Sequence, residues 1–350
     1  MVSARSQPAR VTAPFGEVNR TRLIARFLSE YSEEPWKAVY QLLLWTDKTT
    51  GLAHCYESDK CQPGKNWHQR NLRFHDWLAA SLGQTPGSVG ESIDWLFRRV
   101  AEDHAHFMVD EYQRLVRRAR QQRAPFIDRG FPEPGEDPDI VAIIQDVLGA
   151  GLLQEPTQDQ WREVTRRIRA LIAVENKRKN IVGEGFEDVL SAVIRRADAR
   201  ANLDIRPRCL LPDIPGFANT RQGDKRNKVD LAIIHTADER RMLVTAKWSI
   251  RADREKQFPA EFTSYVNAES SNRRFDYVLL TNEFDPARLA RACEMNAANN
   301  LMITTVVHIS PAAIRAVYGD QPEPTMQKVL GYIANGRIRG LDDWLAAIVR

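Results

Sequence analysis

Asp230 is the third residue of KVDLAIIH (228–235), a run whose β-branched and apolar residues read as a strand. Alternation along a strand puts Asp230 on the face of Ala232 and Ile234, opposite Val229, Leu231 and Ile233. A carboxylate half-buried among such neighbours is costly unless a cation offsets its charge. The next strand-like run, RMLVTAKW (241–248), carries Thr245 and Lys247 on one face and Val244, Ala246 and Trp248 on the other. If the two strands are neighbours, Asp230 and Lys247 can meet at one end of a sheet. Taken alone, that pair is a structural ion pair. A third group changes the reading. Phe186, Val189, Leu190, Val193 and Ile194 repeat at helical spacing, and Glu187 borders this buried stripe on the side of Leu190 and Ile194, with Glu184 one turn earlier. Two carboxylates and an ammonium around a small space are what metal-assisted phosphodiester hydrolysis requires. Hard carboxylate oxygens hold Mg2+, which polarises the phosphate and acidifies a bound water, while the lysine stabilises charge or orients that water.

These groups need elements to carry them. VENKRKNIVGEGFEDVL (174–190) reads as one short helix with Lys177, Arg178 and Lys179 on the approach to its glutamates. After it the chain alternates IRPRCLL, KVDLAIIH, RMLVTAKW, then RADREKQFPAEFTSYV, FDYVLLTN, DPARLARACEMN and LMITTVVHI: helix, three strands, helix, strand, helix, strand. The polar TADER makes a hairpin of the middle two strands, and the later crossovers imply parallel pairing, so an α/β class with a mixed sheet is expected. Upstream, helical spacing covers 21–47, 72–82 and 93–122; a proline- and glycine-rich loop follows, and helices resume from Ile140 to about Ala173. The expected division is a mainly helical region at 1–135, serving DNA recognition or dimerisation, and a catalytic domain at 136–350 with its core at about 174–310.

The 350 residues carry a net charge of only +4, so its distribution decides whether an anionic partner fits. Arg114–Arg129 holds six arginines against one acid, and Arg162–Arg208 holds twelve basic and seven acidic residues. Basic runs flanking a candidate site favour a phosphate backbone. Lys225, Arg226 and Lys228, just before Asp230, suit phosphate contacts, and Arg251 or Arg254 could read guanine edges. The N-terminal sequence has no apolar signal region, and no run approaches a membrane span, which together with four scattered cysteines is expected of a cytoplasmic protein. His54, Cys55, Cys61, His68 and His75 are too irregularly spaced for a zinc site; Trp67, Phe74 and Trp77 read there as core, with Lys65, His68, Arg70 and Arg73 as a polar rim. Neither a G-x-S-x-G elbow nor a nucleotide-binding glycine loop is present.

The helix glutamate, Asp230 and the T-A-K at 245–247 in a helix-βββ-helix-β order resemble the PD-(D/E)xK nuclease superfamily. More narrowly, E-N-x-x-K-x-x-x-G-x-x-F-E (175–187) and K-x-S-I-R-x-D-R (247–254) are similar to type II restriction endonucleases of the BsaWI-like kind. The resemblance implies Asp230 as the central metal ligand and Lys247 as the catalytic lysine. It also implies that Ser249, Arg251, Asp253 and Arg254 lie close to DNA. The position two before the lysine, normally acidic, is Thr245, which can offer only its backbone carbonyl to a metal. The missing charge is then expected from Glu187, with Glu184 as its substitute. The activity implied is Mg2+-dependent, sequence-specific cleavage of double-stranded DNA by a homodimer, in a restriction system that pairs it with a separate methyltransferase. A structure-specific repair or recombination nuclease, and a DNA-binding protein that no longer cuts, are the alternatives.

Overall fold

A computed structural model of the chain describes residues 34–46, 64–85, 87–88, 138–149, 156–218, 227–250, 255–297, 300–319 and 323–350, with isolated positions before 34 and between 114 and 124. The expected helix at 93–122, the loop after it, and His54, Cys55 and Cys61 lie largely or wholly outside these residues. Two compact units divide the chain, Arg20–Leu96 with Ile181–Arg350 and Met1–Asn19 with Phe97–Asn180. The division does not follow the 135/136 line, because helices from the first hundred residues join the unit that contains the sheet.

The described elements are α1 (Pro35–Thr46), α2 (Asn66–Ser81), α3 (Pro138–Gly149), α4 (Gln158–Ala197), β1 (Leu203–Leu210), β2 (Lys228–His235), β3 (Arg241–Lys247), α5 (Gln257–Ala268), β4 (Phe275–Thr281), α6 (Pro286–Glu294), β5 (Asn296–Ala297), β6 (Asn300–Leu301), β7 (Thr305–His308), α7 (Pro311–Tyr318), α8 (Pro324–Ala334), β8 (Ile338–Gly340) and α9 (Leu341–Ile348). The class is mixed α/β. Six strands run in the order β1-β2-β3-β4-β7-β8, antiparallel across β1, β2 and β3 and parallel from β3 onward.

The helix carrying Glu187 is not short: α4 has 40 residues and passes through Gly183 and Gly185 without a break. Glycine weakens a helix interior by only about 1 kcal/mol relative to alanine. Here the apolar stripe beyond Gly185 compensates, since Phe186, Val189, Leu190, Val193 and Ile194 are all buried. The helix ends where Asp198 turns its carboxylate back to accept from the amides of Asn202 and Leu203, 3.0 and 2.8 Å away. Arg195 then ties the helix to β1 by donating to the Ile205 carbonyl at 2.7 Å. Sequence periodicity also placed a strand at LMITTVVHI; only Thr305–His308 joins the sheet, while Leu301 belongs to the separate β5–β6 hairpin.

Register fixes the two faces of the sheet. Leu231 pairs with Val244 across β2 and β3, which continues as Asp230 beside Thr245, and β3 pairs with β4 as far as Lys247 beside Thr281. Asp230, Thr245, Lys247 and Tyr277 therefore share one face. That face is covered by α5, whose Phe262 and Tyr265 meet Tyr277 with ring centroids 5.8 and 5.6 Å apart. The opposite face receives α4, whose Phe186 meets Trp248 edge-on at 5.3 Å. Helices α1 and α2 close the same end, with Tyr40 6.3 Å from Trp248 and Phe74 5.3 Å from Phe284. Phe74 is fully buried and Trp67 and Trp77 pack partly buried against the core, as their spacing suggests, while Arg70 lies between the rings of Trp67 and Tyr318.

Candidate active site

β2 and β3 stop pairing at Leu231 and Val244. Beyond that rung β2 continues against β1, through Cys209 with Val229 and Leu210 with Lys228, while β3 continues against β4. The sheet forks, and Asp230 stands in the fork. Its Oδ2 takes the place of a ladder carbonyl by accepting from the Ala246 amide at 3.0 Å. The same oxygen accepts from Lys247 Nζ at 2.5 Å and from the Thr245 hydroxyl at 3.4 Å. The described bonds thus converge on Oδ2, and Oδ1 is the oxygen left to face a ligand. Both side chains are largely shielded, at 23% exposure for Asp230 and 12% for Lys247, so the ion pair is stronger than one in open water.

Glu187 reaches the same place from α4. Burial and the negative charge of Asp230 push its carboxyl up to about 7, against the opposing pull of Arg208 and Lys247. Glu184 is exposed, and its backbone carbonyl accepts from Arg208 Nη1 at 3.4 Å. Arg208 also contacts Glu187 Oε2 at 3.3 Å and Asp188 Oδ1 at 2.6 Å. A further acid approaches from α5: Glu261 accepts from the Tyr277 hydroxyl at 3.0 Å, and burial first, with the charges of Glu261 and Asp230 adding to it, pushes the Tyr277 and Tyr265 phenols up.

Glu187, Asp230, Thr245 and Lys247, separated in the chain, are brought together, as their periodicities suggest. Three participants carried no sequence signal that singled them out. Arg208 looked like one basic residue among many; Asp188 sits beside Glu187 yet faces inward; Glu261 becomes visible only when α5 is laid on the sheet. The sole available hint was a carboxylate one helical turn from Tyr265, on the side of α5 that bears rings.

Beyond Lys247 the chain is held by a buried carboxylate. Glu283, fully shielded at the end of β4, accepts from the amides of Ile250 at 2.7 Å, Phe284 at 2.9 Å and Asp285 at 2.8 Å, and from the Ser249 hydroxyl at 3.4 Å. Burial pushes its carboxyl up to about 7 although every one of these donors favours the ionised form. Ser249 is therefore turned toward Glu283, a partner that sequence reading did not foresee. Lys228 is exposed at the start of β2. Lys177, Arg178 and Lys179 lie on α4, but their side chains fall outside the described residues, as do Lys225, Arg226, Arg251, Asp253 and Arg254.

No protein-family model matches this chain and no curated protein sequence is significantly similar to it. What the site can do follows from its own groups. Among the described residues no three His, Cys, Asp or Glu side chains form a ready-made metal cage. Mg2+ does not need one, since it keeps several waters and is commonly bound through one or two carboxylates together with substrate phosphate oxygens. The oxygen donors present, the carboxylates of Asp230 and Glu187, fit such an ion; the Thr245 carbonyl does not join them, because the Ala246 amide of the same trans peptide points at Asp230 and turns that carbonyl toward β4. Burial raises Glu187 first and repulsion by Asp230 adds to it, and both penalise a charge that a divalent cation would compensate. No helix among the described residues is long and apolar enough to cross a membrane.

Proposed function

We propose that this protein is a Mg2+-dependent endonuclease of the PD-(D/E)xK restriction type, hydrolysing phosphodiester bonds of double-stranded DNA at a specific sequence, and that it acts as a homodimer. The observation that supports this best is the forked sheet end, where Asp230 is fixed by Lys247 and the Ala246 amide while burial, and then the charge of Asp230, raise Glu187. Asp230 and Glu187 would hold the cation, its remaining positions being left to water and phosphate oxygens. When bound, the ion supplies a Lewis acid and an acidified water. Lys247, anchored at 2.5 Å on Asp230, would stand beside the scissile phosphate and orient the attacking water by hydrogen bonding. Glu261 brings to this face the acidic group that Thr245 does not offer. The Glu283 hub holds Ser249 and Ile250, so the residues that follow start from a fixed point as they approach DNA.

Digesting a sequenced plasmid with Mg2+ and sequencing the ends tests this reading. Discrete fragments with one common end sequence support it. Cleavage confined to branched or damaged DNA assigns a repair nuclease instead. Binding without Mg2+- or Mn2+-dependent nicking supports a protein that recognises DNA without cutting, the reading that the uncharged Thr245 favours.

A calorimetric consequence follows from Glu187. Its folded carboxyl binds a proton more tightly than in the unfolded chain, so its contribution to stability declines as pH rises from about 4.5 through about 7. A divalent cation favours the ionised form and offsets that decline. Melting temperature should therefore rise with Mg2+ at pH 8 and change little at pH 5, and Glu187→Gln should abolish the difference. Equal shifts at both pH values, or an unaltered response in the variant, would remove Glu187 from the cation site.

A further inference from the structure

We propose that Arg208 is the resident counter-charge of Glu187, a group that an arriving divalent cation must displace, so that Arg208 sets how tightly the site takes its ion. This rests on the proposed function only in placing a cation between Asp230 and Glu187.

Three features of Arg208 carry the inference. The first is its backbone. Four described non-glycine residues have positive φ, and three of them, Ala201, Glu239 and Asn272, lie in turns; Arg208, with φ of +48°, lies inside β1. A left-handed residue within a strand is unfavourable for arginine and persists only where its surroundings impose it. The second is its place. The pairs Pro207 with Leu231 and Cys209 with Val229 bracket Arg208 and Asp230, so Arg208 stands directly across from the central aspartate, and the twisted backbone sends its guanidinium to α4.

The third is the asymmetry of its hold. Nη2 meets Asp188 Oδ1 at 2.6 Å, in a shielded contact where Asp188 is 5% exposed, whereas Nη1 meets Glu187 Oε2 at 3.3 Å. The short contact is an anchor and the long one is exchangeable. Asp188 keeps Arg208 in place after Glu187 is released, and no rearrangement of β1 is needed. A positive charge fixed this close to the ligands opposes a second cation electrostatically.

Mn2+ binding to the full chain without DNA, followed by isothermal titration calorimetry and by the electron paramagnetic resonance of free Mn2+, tests the proposal. Arg208→Gly removes the charge and accepts φ of +48° without backbone strain, at the cost of the shielded ion pair with Asp188. It should bind Mn2+ about tenfold more tightly than the parent, at the lower end of what changes beside metal ligands produce. Arg208→Lys retains a charge but not the two-armed contact, and should fall between the two; it carries the test if the glycine variant fails to fold. Equal or weaker binding in Arg208→Gly, or in Arg208→Lys if that variant must stand in, overturns the proposal and makes Arg208 a support for α4. Asp230→Asn is the separate check on the underlying site: if it binds Mn2+ as well as the parent, the cation site is misplaced and the role of Arg208 falls with it. Loss of binding in Asp230→Asn with no gain in Arg208→Gly refutes the role of Arg208 alone.

Discussion

Lys247→Met is expected to lower the rate of DNA cleavage at saturating Mg2+ by at least about a hundredfold, the effect of removing a positioned charge or donor from a reacting oxyanion. Binding of DNA should be nearly unchanged. Methionine keeps most of the side chain's length, so the packing at 12% exposure survives while the ammonium is lost. The ammonium is 2.5 Å from Asp230 Oδ2, and its removal leaves that carboxylate more strongly negative, which favours cation binding. A loss that persists at saturating Mg2+ therefore reports on the chemical step and not on the ion. Single-turnover cleavage measured beside a gel-shift titration separates the two, and undiminished cleavage would exclude Lys247 from the mechanism.

Gly216→Ala should produce the largest loss of stability, about 3 kcal/mol or more, without touching any group of the site. Gly216 has φ of +84°, and a Cβ there would lie 2.2 Å from Arg241 Nη1 and 2.6 Å from Ser271 Oγ. Arg241 cannot retreat. Its guanidinium is 2% exposed, and it donates to the Pro215 carbonyl and Glu269 at 3.0 Å each, to Ser271 at 3.2 Å, and to the Arg273 carbonyl at 2.8 Å. Breaking one contact of a buried charge costs about 3–5 kcal/mol because the remaining charge stays desolvated. Against the opposing effect of burial, hydrogen bonds from Ser271 and Arg241 depress the Glu269 carboxyl to about 2, so its contribution is complete above about 4.5 and is lost progressively as pH falls from there through about 2. Urea unfolding of the parent and the variant at pH 7 measures the difference. A change below 1 kcal/mol would show that the 215–217 turn moves aside freely.

The strands were the most legible part of the molecule. KVDLAIIH is β2 residue for residue, and RMLVTAKW misses β3 by its final tryptophan alone, because period-2 alternation over buried β-branched residues leaves few other options. The site followed from the same alternation, since a charge on an apolar strand must find a partner and the register supplies it. What the sequence concealed depends on three-dimensional crossing. The length of α4 was hidden near residue 174, where the apolar LIAV gives way to the charged ENKRK and two helices were read in place of one, although no glycine or proline breaks the chain there. The run from α8 to α9 held no chemistry that drew attention, yet its β8 strand completes the sheet edge beside β7. Arg208 was invisible because no pattern announces a left-handed turn of the backbone within a strand.

Phe186 and Trp248 are the immediate chain neighbours of Glu187 and Lys247, and their rings meet edge-on behind the sheet with centroids 5.3 Å apart. The gap between the acid on the helix and the amine on the strand is thus gauged by the thickness of an indole laid against a benzene edge. Trimming either ring would open a void at this contact, and the helix is expected to settle toward the strand to fill it. Residues in such direct contact couple energetically, so a smaller ring at one position is expected to be better accommodated beside a larger one at the other.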